Sequence, residues 1–241
     1  MSAAMGKVGS GKRINLGSLV LIAALGCQLA FWAASRDVVT AHAIVPPAPG
    51  HAVITAVALG DTQAAYRVMG LRLQNFGNTD GQWTGLKDYD YDRLIAWFEL
   101  LTDVDAQAWY VPVLAAYYYA QTPVEADARR TVAFVAEFAQ RDPARHWRLL
   151  GHAVYIARHR LKDLPLALSL ARELAALEIA ELPFWARQMP ALVLAEMGEV
   201  DAAAAEIRAL QERFPDLPPE EARYHEYFLE EVLGRGEGAA E

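Results

Sequence analysis

Three tryptophans at a constant interval constrain the fold more than any other feature of this sequence. Trp109, Trp147 and Trp185 are each separated from the next by 38 residues. The sixth residue after each tryptophan is an alanine, at Ala115, Ala153 and Ala191. Self-similarity at an interval of roughly 20–50 residues is typical of solenoids, in which each unit buries its apolar face only against its neighbours. The interval therefore predicts a stack of repeated units.

Each unit is long enough for two antiparallel helices and two short turns. Ala, Leu and Glu dominate the second half of the chain, and runs with the period-two alternation of strands are missing, so we expect an all-α fold. Apolar periodicity and the breaks at Asp142-Pro143, Gly198 and Pro215 predict three helix pairs. These pairs are 107–121 with 125–140, 144–161 with 164–178, and 182–197 with 200–214. A degenerate first pair (61–76, and a helix beginning at Tyr91) and a last helix (218–233) complete the prediction.

The last unit resembles a tetratricopeptide repeat. The residues that fall at the intervals of that family are Ala191, Leu194, Gly198, Ala203, Ile207, Leu210 and Pro215. The stretch around Gly151 and Ala167 is similar but contains about one additional turn, and the resemblance covers about residues 90–215. It implies a right-handed α–α solenoid of about four helical hairpins plus a terminal helix over residues 51–233. It also implies that the chain binds other proteins.

The N-terminal region contains a candidate membrane span, residues 14–35. Its 22 uncharged residues would rise about 33 Å as a helix, enough to cross a bilayer core. Lys7, Lys12 and Arg13 precede it, so the positive-inside rule predicts a cytoplasmic basic N-terminus at 1–13 and export of the rest. Together with the alanine-rich composition, this predicts a single-pass protein of a bacterial inner membrane with a periplasmic C-terminal domain.

Two other interpretations of this region stay open. "AHA", residues 41–43, has the form of a signal-peptidase site, and "AALGC" resembles a lipobox that would place a lipid on Cys27. The length of the apolar segment favours a retained helix, because the apolar region of a cleaved signal has roughly 7–15 residues. We also predict a proline-rich linker before the repeat domain, over residues 36–50, and a flexible tail after it, over residues 234–241.

Composition and motifs favour a binding protein. The net charge of −8 and pI of about 5.3 argue against nucleic acid as a partner, which would require a basic surface. A single cysteine excludes an internal disulfide. Because the sequence contains no nucleophile elbow, phosphate-binding loop, dinucleotide fingerprint or zinc-protease motif, we assign no catalytic residue, cofactor or metal.

The candidate partner-binding residues lie mainly on the predicted helix 144–161. Arg145, Arg148, His152, Tyr155 and His159 fall within about 80° of one another on a helical wheel. If Gly151 is the small packing position of its unit, this stripe faces the groove of the solenoid; if Ala153 is, the stripe lies outside the groove and is a solvated face. Tyr110 and Tyr117 are further candidates, because tyrosine is common at interfaces.

These observations predict a membrane-tethered adaptor or scaffold that binds a protein or peptide partner, possibly with acidic groups, on the periplasmic side. A structural accessory or assembly subunit of a larger membrane complex is the alternative. An enzyme with an unrecognised site is the least favoured hypothesis.

Overall fold

The computed structural model describes residues 16–35, 43–79 and 82–238. Within these ranges the regular secondary structure is helical except for two short paired strands, Asn78–Thr79 and Gln82–Trp83, which confirms the all-α prediction at this level. The chain divides into two compact units, Met1–Ala43 and Ile44–Glu241. The predicted basic N-terminus (1–13), residues 14 and 15 of the predicted span, residues 36–42 of the predicted linker and the last three residues of the predicted tail lie outside the described residues.

The described part of the first unit is helix α1, Leu16–Ser35. It has 20 residues, none of them buried, and a mean hydropathy of 1.9 over its most apolar window. It is therefore long and apolar enough to cross a membrane, although a signal sequence has the same properties. Its orientation stays a prediction.

The second unit contains ten helices among its described residues. They are α2 (His51–Val57), α3 (Thr62–Gln74), α4 (Tyr91–Val104), α5 (Tyr110–Tyr117), α6 (Glu125–Arg141), α7 (Pro143–Tyr155), α8 (Leu164–Ala175), α9 (Phe184–Glu196), α10 (Val200–Arg213) and α11 (Pro219–Gly238). The pairs α5/α6, α7/α8 and α9/α10 correspond to the three predicted pairs. Helix α2 was not predicted, and α11 extends beyond the predicted limit at residue 233.

Aspartate caps begin several of these helices, as the sequence suggests. The backbone N–H of Ala64 donates to Asp61 at the start of α3, and that of Arg93 donates to Asp90 at the start of α4. At the end of α9, Gly198 has φ +81°, the left-handed conformation that allows a sharp helix stop. Capping and stop residues thus account for the correct helix boundaries.

The 38-residue interval is visible in the packing. Ala115, Ala153 and Ala191 are all fully buried. Several contacts join residues that are 38 positions apart, namely Asp103 with Arg141, Thr122 with Arg160, Trp147 with Trp185, and Arg158 with Glu196. Equivalent positions of successive helix pairs therefore lie next to one another.

One unit departs from this regularity at the end of α7. A π-helical turn, Ile156–Arg160, continues α7 towards α8. Fourteen residue steps separate the buried Ala153 from the buried Ala167, whereas twelve separate Ala191 from Ala203. The wider π turn takes up part of this excess of two residues.

Residues 44–50, which the sequence pattern assigned to the linker, belong to the second unit. Val45 is buried, and its carbonyl accepts a hydrogen bond from Arg93 Nη1 at 3.1 Å. The carbonyl of Pro46 accepts one from Trp97 Nε1 at 2.8 Å. We call residues 44–50 the strap, because they are bound along α4.

Candidate partner-binding surface

Helix α7 carries the predicted polar stripe on one side and a buried apolar surface on the other. Arg145, Arg148, Tyr155 and His159 are exposed and His152 is half-buried. On the opposite side, Leu150, Val154 and Ala157 are buried. The amphipathic pattern of the sequence therefore locates the stripe correctly, whereas its role in binding stays a prediction.

Four aromatic rings form a continuous row across α5 and α7. The ring of Tyr117 stacks on His152, with centroids 3.8 Å apart and planes inclined by 17°. His152 is followed by Tyr155 at 5.6 Å and Tyr155 by His159 at 4.8 Å. We call Tyr117, His152, Tyr155 and His159 the aromatic row; it joins four of the seven candidate residues.

The row combines solvent-exposed ring surface with a fixed arrangement. Tyr117 and Tyr155 are 55% and 56% exposed, although both rings contact His152. Burial lowers the pKa of His152 from 6.5, opposed by the backbone carbonyl of Ala116, which favours the charged form. The lowered pKa favours the neutral form of the His152 imidazole, so this ring of the row is an uncharged π surface.

The two arginines of the stripe have different surroundings. The guanidinium of Arg148 lies 4.4 Å from the ring centroid of Trp147, an arrangement that permits a cation–π interaction. Arg145 lies 3.7 Å from Asp142, and both side chains are almost half exposed. Because the latter pair is solvated and at the limit of contact distance, it leaves the charge of Arg145 available to a partner.

The packing on α7 favours the register set by the tryptophans. Ala153 is fully buried, whereas Gly151 is only partly buried. A Cβ atom placed on Gly151 would lie 3.5 Å from Trp185 and 3.7 Å from Leu174, which is ordinary van der Waals contact. Of the two alternatives given by the sequence, this register favours the one in which the stripe lies outside the predicted groove, so a partner of the stripe would bind the outer face of α7.

Arg145 and Tyr110 border a separate cavity of about 640 Å³. Its other lining residues include Tyr66, Arg67 and Leu71 of α3, Asp105, and Trp109. The hydroxyl of Tyr66 accepts a hydrogen bond from the Val111 N–H at 2.8 Å, and burial raises its pKa to about 12. Of the seven candidate residues, four thus form the aromatic row, two line this cavity, and Arg148 belongs to neither.

Sequence reasoning missed part of this surface. Tyr117 and Tyr155 are 38 residues apart, so the interval of the tryptophans already related them. Tyr66, Arg67 and Asp105 carry no comparable signal, because tertiary packing alone brings them to the cavity that Arg145 also lines. Trp83, which is 84% exposed at the end of the second short strand, was also not predicted.

Comparison with protein-family models, curated proteins and solved structures found no match. The fold defines the class of protein: an all-helical chain with one apolar N-terminal helix that is long enough to cross a membrane. The likeness to tetratricopeptide repeats depends on the residue pattern of the units.

Proposed function

We propose that the chain is a membrane-anchored, tetratricopeptide-like adaptor that binds a protein partner on the surface formed by α5 and α7. The observation that carries this proposal is the aromatic row. Large tyrosine rings held by stacking lose little conformational freedom on binding, which makes them effective anchors.

The charges beside the row suggest the chemistry of the partner. Arg145 and Arg148 project from α7, which carries the rings of His152 and Tyr155, and the π turn that follows it carries His159. Guanidinium groups recognise carboxylates through two parallel hydrogen bonds, so a partner segment with acidic and apolar side chains would fit the surface.

The solenoid arrangement is part of the proposal. Contacts between residues 38 positions apart support it, because they place equivalent side chains of successive units side by side. Stacked units present their first helices along a common surface, which is suited to an extended segment of another protein.

The location of the protein is also a proposal. The basic residues before α1 support a cytoplasmic N-terminus and a helical domain on the periplasmic face of a bacterial inner membrane. Anchoring would raise the local concentration of the domain near membrane-bound partners.

Site-specific photocrosslinking in cells tests the proposal. A photoreactive amino acid at Tyr155 is expected to give a defined adduct with one partner. The same amino acid at Glu137, an exposed position on α6, is the matched control and should give none. Equal adducts from both positions would contradict a binding surface on α5 and α7.

Charge reversal tests the contribution of the arginines. Arg145→Glu/Arg148→Glu is expected to abolish the adduct at Tyr155. The control Arg208→Glu/Arg223→Glu makes the same change in net charge at exposed sites on α10 and α11 and should preserve it. Retention of the partner by Arg145→Glu/Arg148→Glu would favour the alternative function. In that case the chain would be a permanent structural subunit that is bound through other surfaces, such as the one around the exposed Trp83.

A further inference from the structure

An exposed apolar surface lies on α2, α3 and the turn that joins them. Val53 and Val57 of α2 are 55% and 69% exposed, whereas Ile54 of the same helix is buried. On α3, Val68 and Leu71 are 60% and 56% exposed. We call Val53, Val57, Leu59, Val68 and Leu71 the α2–α3 apolar surface. The rest of the second unit packs only against the opposite side of α2 and α3.

Leu59 is the most unusual member of this surface. Its side chain is 95% exposed and its φ is +55°. Glycine or asparagine adopts this left-handed conformation more readily than leucine does. The turn itself therefore does not require leucine, which combines an unfavourable backbone conformation with a fully exposed apolar side chain.

The charged residues of the segment that forms this surface are mainly arginines, although Asp105, which follows α4, lines the same cavity as Arg67. Residues 43–79 contain two arginines, Arg67 and Arg72, and one acidic residue, Asp61, which is engaged in capping α3. Both arginines are exposed, and the ion pairs found among the described residues do not include them. The whole chain carries a net charge of −8. This local excess of positive charge complements an anionic surface.

The valines and an arginine also share one concave feature. A cavity of about 310 Å³ is lined by Val53, Val57 and Arg72, together with Met69 of α3 and the prolines of the strap. Apolar side chains bordered by guanidinium groups are the arrangement by which interfacial helices bind bilayers: the apolar groups enter the acyl boundary and the cations meet the phosphates.

The number of residues between α1 and the second unit limits how far the start of that unit can lie from the end of α1. Helix α1 ends at Ser35, and the second unit begins at Ile44. Nine residue steps of roughly 3.5 Å cannot extend beyond about 32 Å. If α1 crosses the membrane, the start of the second unit is held within this distance of the end of the span.

We propose that the α2–α3 apolar surface, with Arg67 and Arg72, binds the anionic surface of the bilayer that α1 crosses. This inference rests on the proposed anchoring by α1, but it is independent of the partner that the aromatic row binds. The helical domain is then held against the membrane by a second contact in addition to its tether.

Fluorescence quenching in vesicles tests this contact. The full chain with Cys27→Ala and Val57→Cys carries an environment-sensitive dye at position 57. It is reconstituted into vesicles of equal parts phosphatidylcholine and phosphatidylglycerol that contain a lipid with a nitroxide near its headgroup. We expect blue-shifted emission and several-fold stronger quenching than for a dye on Glu137→Cys. Equal weak quenching at both positions would overturn the proposal.

Two substitution sets separate apolar from electrostatic contributions. Leu59→Asn, which suits the left-handed backbone, and Arg67→Gln/Arg72→Gln are each expected to reduce quenching at position 57. The controls are Val124→Ser and Arg208→Gln/Arg223→Gln, which alter an exposed apolar residue and two exposed arginines elsewhere. Equal quenching in pure phosphatidylcholine and in the mixed vesicles would contradict the role of the arginines.

Failure of anchoring is recognised separately. Flotation of the vesicles after extraction at high pH, which removes proteins bound only at the surface, shows whether the chain inserts. A protein that does not float with the vesicles contradicts the membrane-anchoring proposal. A protein that floats, but whose dye at position 57 is not quenched, contradicts this inference alone.

Discussion

Two neighbouring small residues on α7 provide a sharp test of the repeat register, because the structure predicts opposite effects for them. Ala153 is fully buried at a position equivalent to Ala115 and Ala191. Leucine at position 153 adds three carbon atoms to a closely packed site. Overpacking of this kind costs about 1–3 kcal/mol in the free energy of unfolding.

Gly151 should tolerate enlargement. An added Cβ atom would meet Trp185 and Leu174 at 3.5 and 3.7 Å, ordinary contact distances. Replacing glycine by alanine inside a helix contributes about 0.5–1 kcal/mol through backbone propensity. Gly151→Ala is therefore expected to raise the free energy of unfolding by about that amount.

Urea denaturation of the full chain in detergent, followed by far-UV circular dichroism, measures both effects. The midpoint should fall for Ala153→Leu and rise for Gly151→Ala, with little change in slope. Ala191→Leu, the equivalent substitution in the next unit, should resemble Ala153→Leu. A loss of stability in Gly151→Ala larger than that in Ala153→Leu would refute the tryptophan-based register.

Three other substitutions test local features by the same measurement. Gly77→Ala should destabilise by about 1–3 kcal/mol, because its φ is +77° and the new Cβ would lie 2.1 Å from Tyr89 Oη; unchanged stability would contradict this. Trp97→Phe should lower the free energy of unfolding by about 1 kcal/mol, because the carbonyl of Pro46 loses its hydrogen-bond donor. If Trp97→Phe cost as much in a chain whose strap cannot form this hydrogen bond, the loss could not be assigned to the bond. Burial lowers the pKa of His146 below 6.5. As pH falls through 6.5 the unfolded chain therefore takes up a proton before the folded one does, and the free energy of unfolding declines from there towards the folded pKa. The decline should be smaller in His146→Leu, and an equal decline would exclude His146 as its source.

The sequence predicted most of the helices because their signals are local. Apolar periodicity, aspartate caps and the glycine stop at Gly198 act within one or two turns, and these gave the three main helix pairs. The short α5 shows where such signals end. Tyr119 is fully buried and donates a hydrogen bond to the Leu73 carbonyl at 2.6 Å, a tertiary contact that no local pattern encodes. The α-helix ends at Tyr117, and a 3₁₀ turn, Tyr119–Gln121, occupies the rest of the range that was predicted to end at residue 121.

The candidate surface was predictable only in part for the same reason. The angular positions of His152, Tyr155 and His159 follow from helix geometry. The stacking of Tyr117 on His152 depends on how closely α5 packs against α7, which the sequence pattern does not specify. The burial of His146 between Trp109 and Phe138 is likewise a result of tertiary packing.

The strap determines how mechanical load would enter the helical domain. A pull on the chain from its N-terminal side reaches Val45 and Pro46 before it reaches α2. The side chains of Arg93 and Trp97 transfer that load directly to α4, which follows α2 and α3 in the chain. Tension on the tether must therefore break these two hydrogen bonds before it can detach α2 from the rest of the domain.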